Sequence, residues 1–124
     1  MEYQTLLIDI ADRVAKLMLN RPDKKNAINP QLVHDMVQAL DDLRYNDDVA
    51  VLIVTGAGDA FCAGMDLKEY FHDLKTKNPA EYDRVNRKLI DWRGRMMRHY
   101  PKPTIAMVNG FCFGGAFPLV ECCD

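Results

Sequence analysis

Several features are scarce in this sequence, and each scarcity excludes a class of protein. No apolar run approaches the ~20 residues that a membrane-spanning helix needs. The N-terminus has no basic segment followed by an apolar one, so we expect no secretory leader. The formal net charge of -2 disfavours non-specific nucleic-acid binding through a broad basic face. We therefore expect a cytoplasmic protein with no membrane or nucleic-acid partner.

Paired cysteines and clustered histidines are also lacking. The four cysteines contain no C-x-x-C pair, and two of them are adjacent: Cys62, Cys112, Cys122 and Cys123. The three histidines are scattered: His34, His72 and His99. In a chain without a leader, this pattern predicts reduced thiols and no metal site.

What remains is the composition of a globular protein with a sizeable core. The 124 residues are 48% apolar and 27% charged, and a chain of this length buries roughly two thirds of its unfolded surface. Residues Leu6 to Asn20 predict a hairpin or two strands at an angle. After the loop RPDKKNAINP, Asn29 and Pro30 are the N-cap and first residue of a predicted amphipathic helix.

The rest of the chain continues an α/β order. The run from Val49 to Gly56 predicts a strand buried on both faces. A loop with three glycines follows and runs into a helix near Leu67. We predict a second long helix over Pro79 to His99, a strand in PKPTIAMVNG, and an apolar helix in CFGGAFPLVECCD. This order alone does not separate a Rossmann-like sheet from other α/β folds.

Two glycine-bearing loops follow predicted strands, at Ala63-Gly64-Met65 and at Gly114-Gly115-Ala116. Glycine lets a backbone amide approach a ligand closely. Two such amides from separate loops would form an oxyanion hole for a thioester carbonyl. The alternative is that these glycines only permit tight turns and close helix packing. A dinucleotide site at TGAGDAF is disfavoured, because the third glycine of that fingerprint is absent.

Three segments in this order resemble the enoyl-CoA hydratase/isomerase (crotonase) superfamily: LNRPDKKNAINP, GAGDAFCAGMDLKEYF and KPTIAMVNGFCFGGAF. The resemblance implies an α/β fold of the crotonase-like ββα spiral type, with residues 1–124 as an incomplete spiral domain, the N-terminal half only. It also implies that coenzyme A enters as part of an acyl-CoA substrate and that no cofactor is permanently bound. The full-length protein would be a homo-oligomer, a trimer or hexamer.

The resemblance also assigns roles to single residues. The backbone N–H groups of Met65 and Gly115 would be the two donors to the thioester oxygen. Ala63 and Leu67 would line the coenzyme A track, and Lys24 would meet the coenzyme A phosphates as a mobile cation. For Lys24, an ordinary solvated loop lysine is the alternative.

Within the superfamily, AGMDLKEYF and the CFGG run resemble the hydroxycinnamoyl-CoA (feruloyl-CoA) hydratase-lyases. These lyases convert feruloyl-CoA and water to vanillin and acetyl-CoA. Their tyrosine at the position of Tyr70 bonds the substrate phenol, so the resemblance implies a substrate contact here. Packing at a helix start is the alternative for Tyr70. Two further readings stay open: an enoyl-CoA hydratase/isomerase of other acyl specificity, and a catalytically silent coenzyme A-binding or interaction fragment.

The sequence departs from the superfamily around and after the second glycine pair. Ala116 replaces a third glycine. The hydratase-lyases have Ser-Pro just after it, and Phe117-Pro118 here either replaces the serine or skips it by one residue. The general acid/base glutamate of the superfamily lies beyond the position of Asp124. Glu121 is the nearest acid here, but it follows Gly115 by six residues, which is more than one and a half helical turns. We do not expect Glu121 to replace the missing glutamate.

Residues 1–124 alone are therefore expected to turn over little or no feruloyl-CoA, because hydration needs a positioned carboxylate. Incubation with feruloyl-CoA, followed by loss of thioester absorbance and appearance of vanillin, measures this directly. Turnover near that of a complete enzyme would contradict the expectation.

Overall fold

The structure is a computed structural model and describes residues 2–124. Along the chain it contains six strands, three α-helices and three other helical segments. The strands are β1 (Leu6–Ala11), β2 (Val14–Leu19), β3 (Val51–Gly56), β4 (Ala60–Cys62), β5 (Thr104–Ala106) and β6 (Phe111–Cys112). The α-helices are α1 (Pro30–Arg44), α2 (Pro79–Asp91) and α3 (Ala116–Glu121). A 3-10 turn covers Pro22–Lys24, and π-helical segments cover Leu67–Lys75 and Trp92–Met96.

The larger sheet has the strand order β1-β2-β3-β5. The predicted hairpin is confirmed: β1 and β2 pair antiparallel, and Asp12 and Arg13 at its turn have φ of 52° and 66°. Strands β2, β3 and β5 then run parallel to one another. The β3 prediction was partly wrong, since the strand begins at Val51 and its residues Val51 and Ile53 are only half-buried.

Helix α1 confirms its prediction and packs its apolar stripe into the core. The Asn29 side chain caps the helix by accepting from the backbone N–H of Leu32 at 2.9 Å, and Pro30 is the first helical residue. The buried apolar residues recur at helical spacing: Leu32, Val33, Met36, Ala39, Leu40 and Leu43. Val37 lies at the edge of this stripe and is half-buried.

The second, smaller sheet was not predicted from the sequence: β4 was expected to be loop, and Cys112 of β6 was expected to begin the final apolar helix. Strands β4 and β6 pair parallel, with Ala60 opposite Phe111 and Cys62 opposite Cys112. Each strand is so short that it leaves no periodic pattern to read. A single bridge between Ile28 and Met65 extends the same parallel arrangement.

The elements repeat three times as a strand of the larger sheet, a short extended segment and a helix. The first repeat contains β2, Ile28 and α1. The second contains β3, β4 and the helical region from Leu67 to Met96, and the third contains β5, β6 and α3. This repeat is the ββα spiral that the resemblance implies. It places all three short extended segments in one layer, next to the ends of the helices.

The second long helix is interrupted, contrary to the prediction over Pro79 to His99. Helix α2 ends at Asp91, and a π-helical turn follows in which the Met97 N–H donates to the Trp92 carbonyl at 3.0 Å. The wider turn allows Trp92 and Met97, five residues apart, to be buried together, and the Trp92 indole N–H lies 3.1 Å from the Met97 sulfur. The final apolar helix is also shorter than predicted, at six residues.

Several large apolar side chains stay exposed around β5, β6 and α3: Ile105, Met107, Val108, Phe111, Phe113 and Phe117. Across residues 2–124, no helix combines the length and the apolar content that a bilayer crossing requires.

Candidate functional site: two backbone amides on adjacent loops

The parallel pairing of β4 with β6 places the two glycine loops side by side. Parallel strands end at the same edge of a sheet, so the loops that follow Cys62 and Cys112 emerge together. The Phe113 N–H donates to the Cys62 carbonyl at 3.1 Å and continues the pairing beyond the strands. The residues after this bond are Gly64-Met65 in the first loop and Gly114-Gly115 in the second.

The amides of Met65 and Gly115 lie close together. A Cβ built on Gly115 would be 3.5 Å from the amide nitrogen of Met65. With two bonds of about 1.5 Å each between that Cβ and the Gly115 nitrogen, the two nitrogens are no more than about 6.5 Å apart. The loops approach so closely at Gly64 that a side chain does not fit there, since a Cβ on Gly64 would lie 3.0 Å from the Gly115 nitrogen.

Neither of these two N–H groups donates to a protein acceptor within residues 2–124. For Met65 the reason is its bridge to Ile28, in which the Ile28 N–H donates to the Gly64 carbonyl and the Asp66 N–H donates to the Ile28 carbonyl. In this parallel pairing the hydrogen bonds are made by Gly64 and Asp66, the two neighbours of Met65, and the Met65 N–H points away from Ile28. Gly115 immediately precedes α3, where N–H groups have no intrahelical acceptor.

Three side chains hold the first loop, those of Arg21, Cys62 and Asp66. The Asp66 carboxylate accepts from Arg21 at 3.1 Å and caps the following π-helical segment by accepting from the Glu69 N–H at 2.8 Å. Burial opposes ionisation of Asp66, but the Glu69 amide and the Arg21 guanidinium outweigh it and lower the pKa of this carboxyl. The Gly64 N–H lies 3.4 Å from the Cys62 sulfur, whose pKa burial raises to about 11. Cys62 is therefore a neutral thiol that supports the loop.

A guanidinium holds the second loop, and the sequence analysis missed it. Arg93, in the π-helical turn, donates from Nη1 to the Gly115 carbonyl at 2.7 Å. In the sequence it is one of several arginines in WRGRMMR, where nothing separates it from solvent-exposed charges. Arg21 was also not identified, because its partners Asp66 and Glu69 are distant in sequence. Its position directly before Pro22 indicates only that it lies in a turn.

Tyr70 takes the packed arrangement that was the alternative to a substrate contact. Its side chain is wholly buried, and its hydroxyl donates to the Asn86 Oδ1 at 3.0 Å. Its ring packs edge-on against Phe71 and Tyr82. Burial raises the pKa of Tyr70 to about 12, so the phenol stays protonated at neutral pH. The oxygen retains an acceptor position, and the substrate role stays a prediction.

The residues predicted to line the coenzyme A track lie in the first loop and in the turn that is hydrogen-bonded to it. Ala63 donates its N–H to the Lys25 carbonyl at 2.9 Å, which joins the loop to the end of the Pro22–Lys24 turn. Lys24 is exposed, as expected for a mobile cation or a solvated loop residue alike. Leu67 is 73% exposed and is free to contact a ligand. The roles of all three residues stay predictions.

The departures after the second glycine pair have separate structural consequences. Ala116 is wholly buried in the first turn of α3, so its methyl group is accommodated by a helical backbone. Phe117 and Pro118 are exposed on the same turn. Glu121 is exposed at the end of α3.

The hollows found among the described residues lie away from the two glycine loops. One cavity of about 390 Å³ lies between α1 and the π-helical turn and is lined by Leu40, Asp41, Arg44, Tyr45, Arg95, Met96, His99 and Tyr100. The Arg95 charge there already pairs with Asp91. Within residues 2–124, no three side chains of the metal-ligating types come together at a possible metal site.

The glycine that separates the loops provides a direct test of the site. Gly64 has φ of +92°, and a Cβ on it would lie 2.7 Å from the Phe113 carbonyl oxygen. We expect Gly64→Ala to lower the free energy of unfolding by about 2–4 kcal/mol, from backbone strain and this clash. Gly94→Ala is the control, because a Cβ there meets nothing within 4 Å. Urea denaturation measures both, and equal losses would contradict the packing described.

Comparisons with known proteins identify the family and the fold of this chain. The family described as enoyl-CoA hydratase/isomerase matches residues 9–124. A curated relative, the hydroxycinnamoyl-CoA hydratase-lyase of Pseudomonas fluorescens, is 45% identical over 121 residues, which are 97% of this chain and 44% of the relative. The structure of an enoyl-CoA hydratase from Shewanella pealeana has a TM-score of 0.90 at 29% identity and covers 99% of this chain and 46% of its own.

A second solved structure, an enoyl-CoA hydratase/isomerase from Xanthobacter autotrophicus, has a TM-score of 0.89 at 34% identity. It is matched over 99% of this chain and 45% of its own length, so the chain spans about half the length of the relatives it matches. The family match and the shared spiral agree over almost all of the described residues. The chain belongs to the enoyl-CoA hydratase/isomerase family and has the crotonase fold of its solved members.

Proposed function

We propose that this chain forms the thioester-binding part of an acyl-CoA hydratase-lyase that acts on 4-hydroxycinnamoyl-CoA or feruloyl-CoA. The proposal is carried by one observation: the backbone N–H groups of Met65 and Gly115 lie on adjacent loops, and neither donates to a protein acceptor within the described residues. The 45% identity to a hydroxycinnamoyl-CoA hydratase-lyase supports the choice of acyl group. Products of the whole enzyme would be an aromatic aldehyde, vanillin from feruloyl-CoA, and acetyl-CoA.

The two amides would act on the charge of the thioester oxygen. Addition of water to the enoyl double bond passes through an enolate, in which negative charge collects on that oxygen. Two fixed N–H donors stabilise this charge without reorganisation, and removal of one such donor costs about 2.7–4 kcal/mol of transition-state stabilisation in known cases. Neither donor is a side chain, so the chemistry depends on loop geometry rather than on the identity of residue 65.

A second candidate function is binding of coenzyme A thioesters without catalysis. It is favoured by the position of Glu121, the acid nearest in sequence to Gly115, which is exposed at the end of α3. Hydration requires a carboxylate that can deprotonate water and deliver a proton to the α-carbon. Both candidates need the two amides, and they differ only in turnover. Location in the cytoplasm and assembly of the full-length protein into trimers or hexamers also stay predictions.

The amide pair is tested by comparing two ligands that differ in one oxygen. The 124-residue chain is titrated with 4-hydroxycinnamoyl-CoA and with the thioether analogue, in which a methylene replaces the thioester carbonyl. We expect the thioester to bind roughly tenfold more tightly, because two neutral hydrogen bonds contribute about 0.5–1.5 kcal/mol each. The Gly94→Ala variant should keep this preference and the Gly64→Ala variant should lose it. Equal affinities in the wild-type chain would exclude the proposed site.

The choice of acyl group is tested at Tyr70. A substrate phenol would donate to the Tyr70 oxygen, which itself donates to Asn86. Because Tyr70 is wholly buried, this contact requires movement of the π-helical segment Leu67–Lys75. We expect the wild-type chain to bind 4-hydroxycinnamoyl-CoA about fivefold more tightly than cinnamoyl-CoA, and Tyr70→Phe to abolish the difference. Tyr82→Phe is the matched control, and an unchanged preference in Tyr70→Phe would contradict the role of Tyr70.

A further inference from the structure

The guanidinium of Arg93 lies directly behind the second glycine loop. Its Nη1 donates to the Gly115 carbonyl oxygen at 2.7 Å. Its Nε is buried and has no hydrogen-bond partner among the described residues. The side chain as a whole is half-buried, so part of its charge has lost contact with water.

Arg93 differs from Arg21, which supports the first loop. Arg21 is paired with two carboxylates, those of Asp66 and Glu69. No ion pair found within residues 2–124 includes Arg93. Burial lowers the pKa of Arg93, but arginine in proteins remains protonated at neutral pH. A positive charge without a counter-charge therefore stands next to Gly115.

Gly115 has particular need of such support. It has no side chain to pack, and its N–H has no acceptor within the described residues. The residue before it, Gly114, has φ of +55°, in the left-handed region that favours glycine, so two successive residues lack a side chain that could anchor the loop. The bond from Arg93 restrains the carbonyl end of Gly115 against the Met65 loop.

We propose that Arg93 is a positioning residue for the second amide donor, and that its unpaired charge favours negative charge on the thioester oxygen. The inference rests on the proposed function, in which the Gly115 N–H binds that oxygen. It assigns Arg93 no direct contact with the substrate. Arg93 acts on the oxygen through Gly115 and through the electrostatic field at the loop.

The test uses the thioester and thioether ligands together with a spectroscopic measurement. The 124-residue chain and its Arg93→Met, Arg93→Lys and Arg98→Met variants are titrated with 4-hydroxycinnamoyl-CoA and its thioether analogue. The infrared carbonyl stretch of bound 4-hydroxycinnamoyl-CoA, labelled with carbon-13 at the thioester carbon, is recorded for each. Arg98 is the control for charge, because it is exposed and lies in the same region of the chain.

We expect Arg93→Met to lower the roughly tenfold preference for the thioester about fivefold, since the Gly115 bond is weakened while the Met65 bond is kept, and a donor beside a positive charge contributes the larger share. The affinity for the thioether should change by less than about twofold, and the carbonyl stretch should move towards its value in water. Arg93→Lys keeps the charge and one donor, so it should lose only about twofold. Arg98→Met should leave both measurements unchanged.

Three results would overturn the inference. In the first, Arg93→Met lowers thioester and thioether affinity equally, which indicates a purely structural role. In the second, the wild-type chain prefers the thioester and Arg93→Met retains the full preference and carbonyl shift; the proposed function then stands without Arg93. In the third, the wild-type chain shows no preference, and the proposed function and this inference fail together. If Arg93→Met does not fold, Arg93→Lys decides, and an undiminished preference in it contradicts the inference.

Discussion

The candidate site depends on one short parallel pairing, between Ala60–Cys62 and Phe111–Cys112. These few residues bring together parts of the chain that are about fifty positions apart in sequence. They also set the separation of the two loops, because Gly64 lies between the Phe113 carbonyl and the Gly115 amide at distances that no side chain fits. Catalytic geometry built on backbone atoms therefore depends on sheet register, and a slip of one residue would move both amides.

The two loops are supported by different electrostatic means. The first carries a cluster of one guanidinium and two carboxylates, in which Arg21 bonds Asp66 and Glu69 and also donates to the Ala27 carbonyl at 2.6 Å. Such a cluster fixes the geometry of the loop, and its one positive and two negative groups leave a net charge of -1. The second has the Arg93 guanidinium, which forms no ion pair with a carboxylate among the described residues. The Met65 donor is thus firmly held beside a net negative cluster and the Gly115 donor lies in a more positive environment, so in the proposed function the Gly115 donor would respond more strongly to an oxygen that gains charge.

The sequence predicted the periodic parts of the fold and the loops that carry the site, because both leave local signals. The helix after Asn29 and the hairpin from Leu6 to Asn20 follow from spacing and capping residues. Strands β4 and β6 are too short for periodicity, and the π-helical turn at Trp92 arises from burial of Trp92 with Met97, which is a tertiary effect. Arg93 could not be identified for the same reason, since its partner Gly115 is 22 residues away.

The strength of the amide pair depends on what lies over it. An N–H group stabilises an oxyanion strongly only where water is excluded, because the local dielectric constant sets the size of the interaction. Here the second loop is bordered by exposed aromatic side chains, Phe111, Phe113 and Phe117. With these rings exposed, water has access to the second loop, and a hydrogen bond from Gly115 is expected to be no stronger than an ordinary one. Burial of the same rings by an apolar surface would exclude that water and strengthen the Gly115 donor, so the exposed aromatic surface bears directly on the strength of this amide.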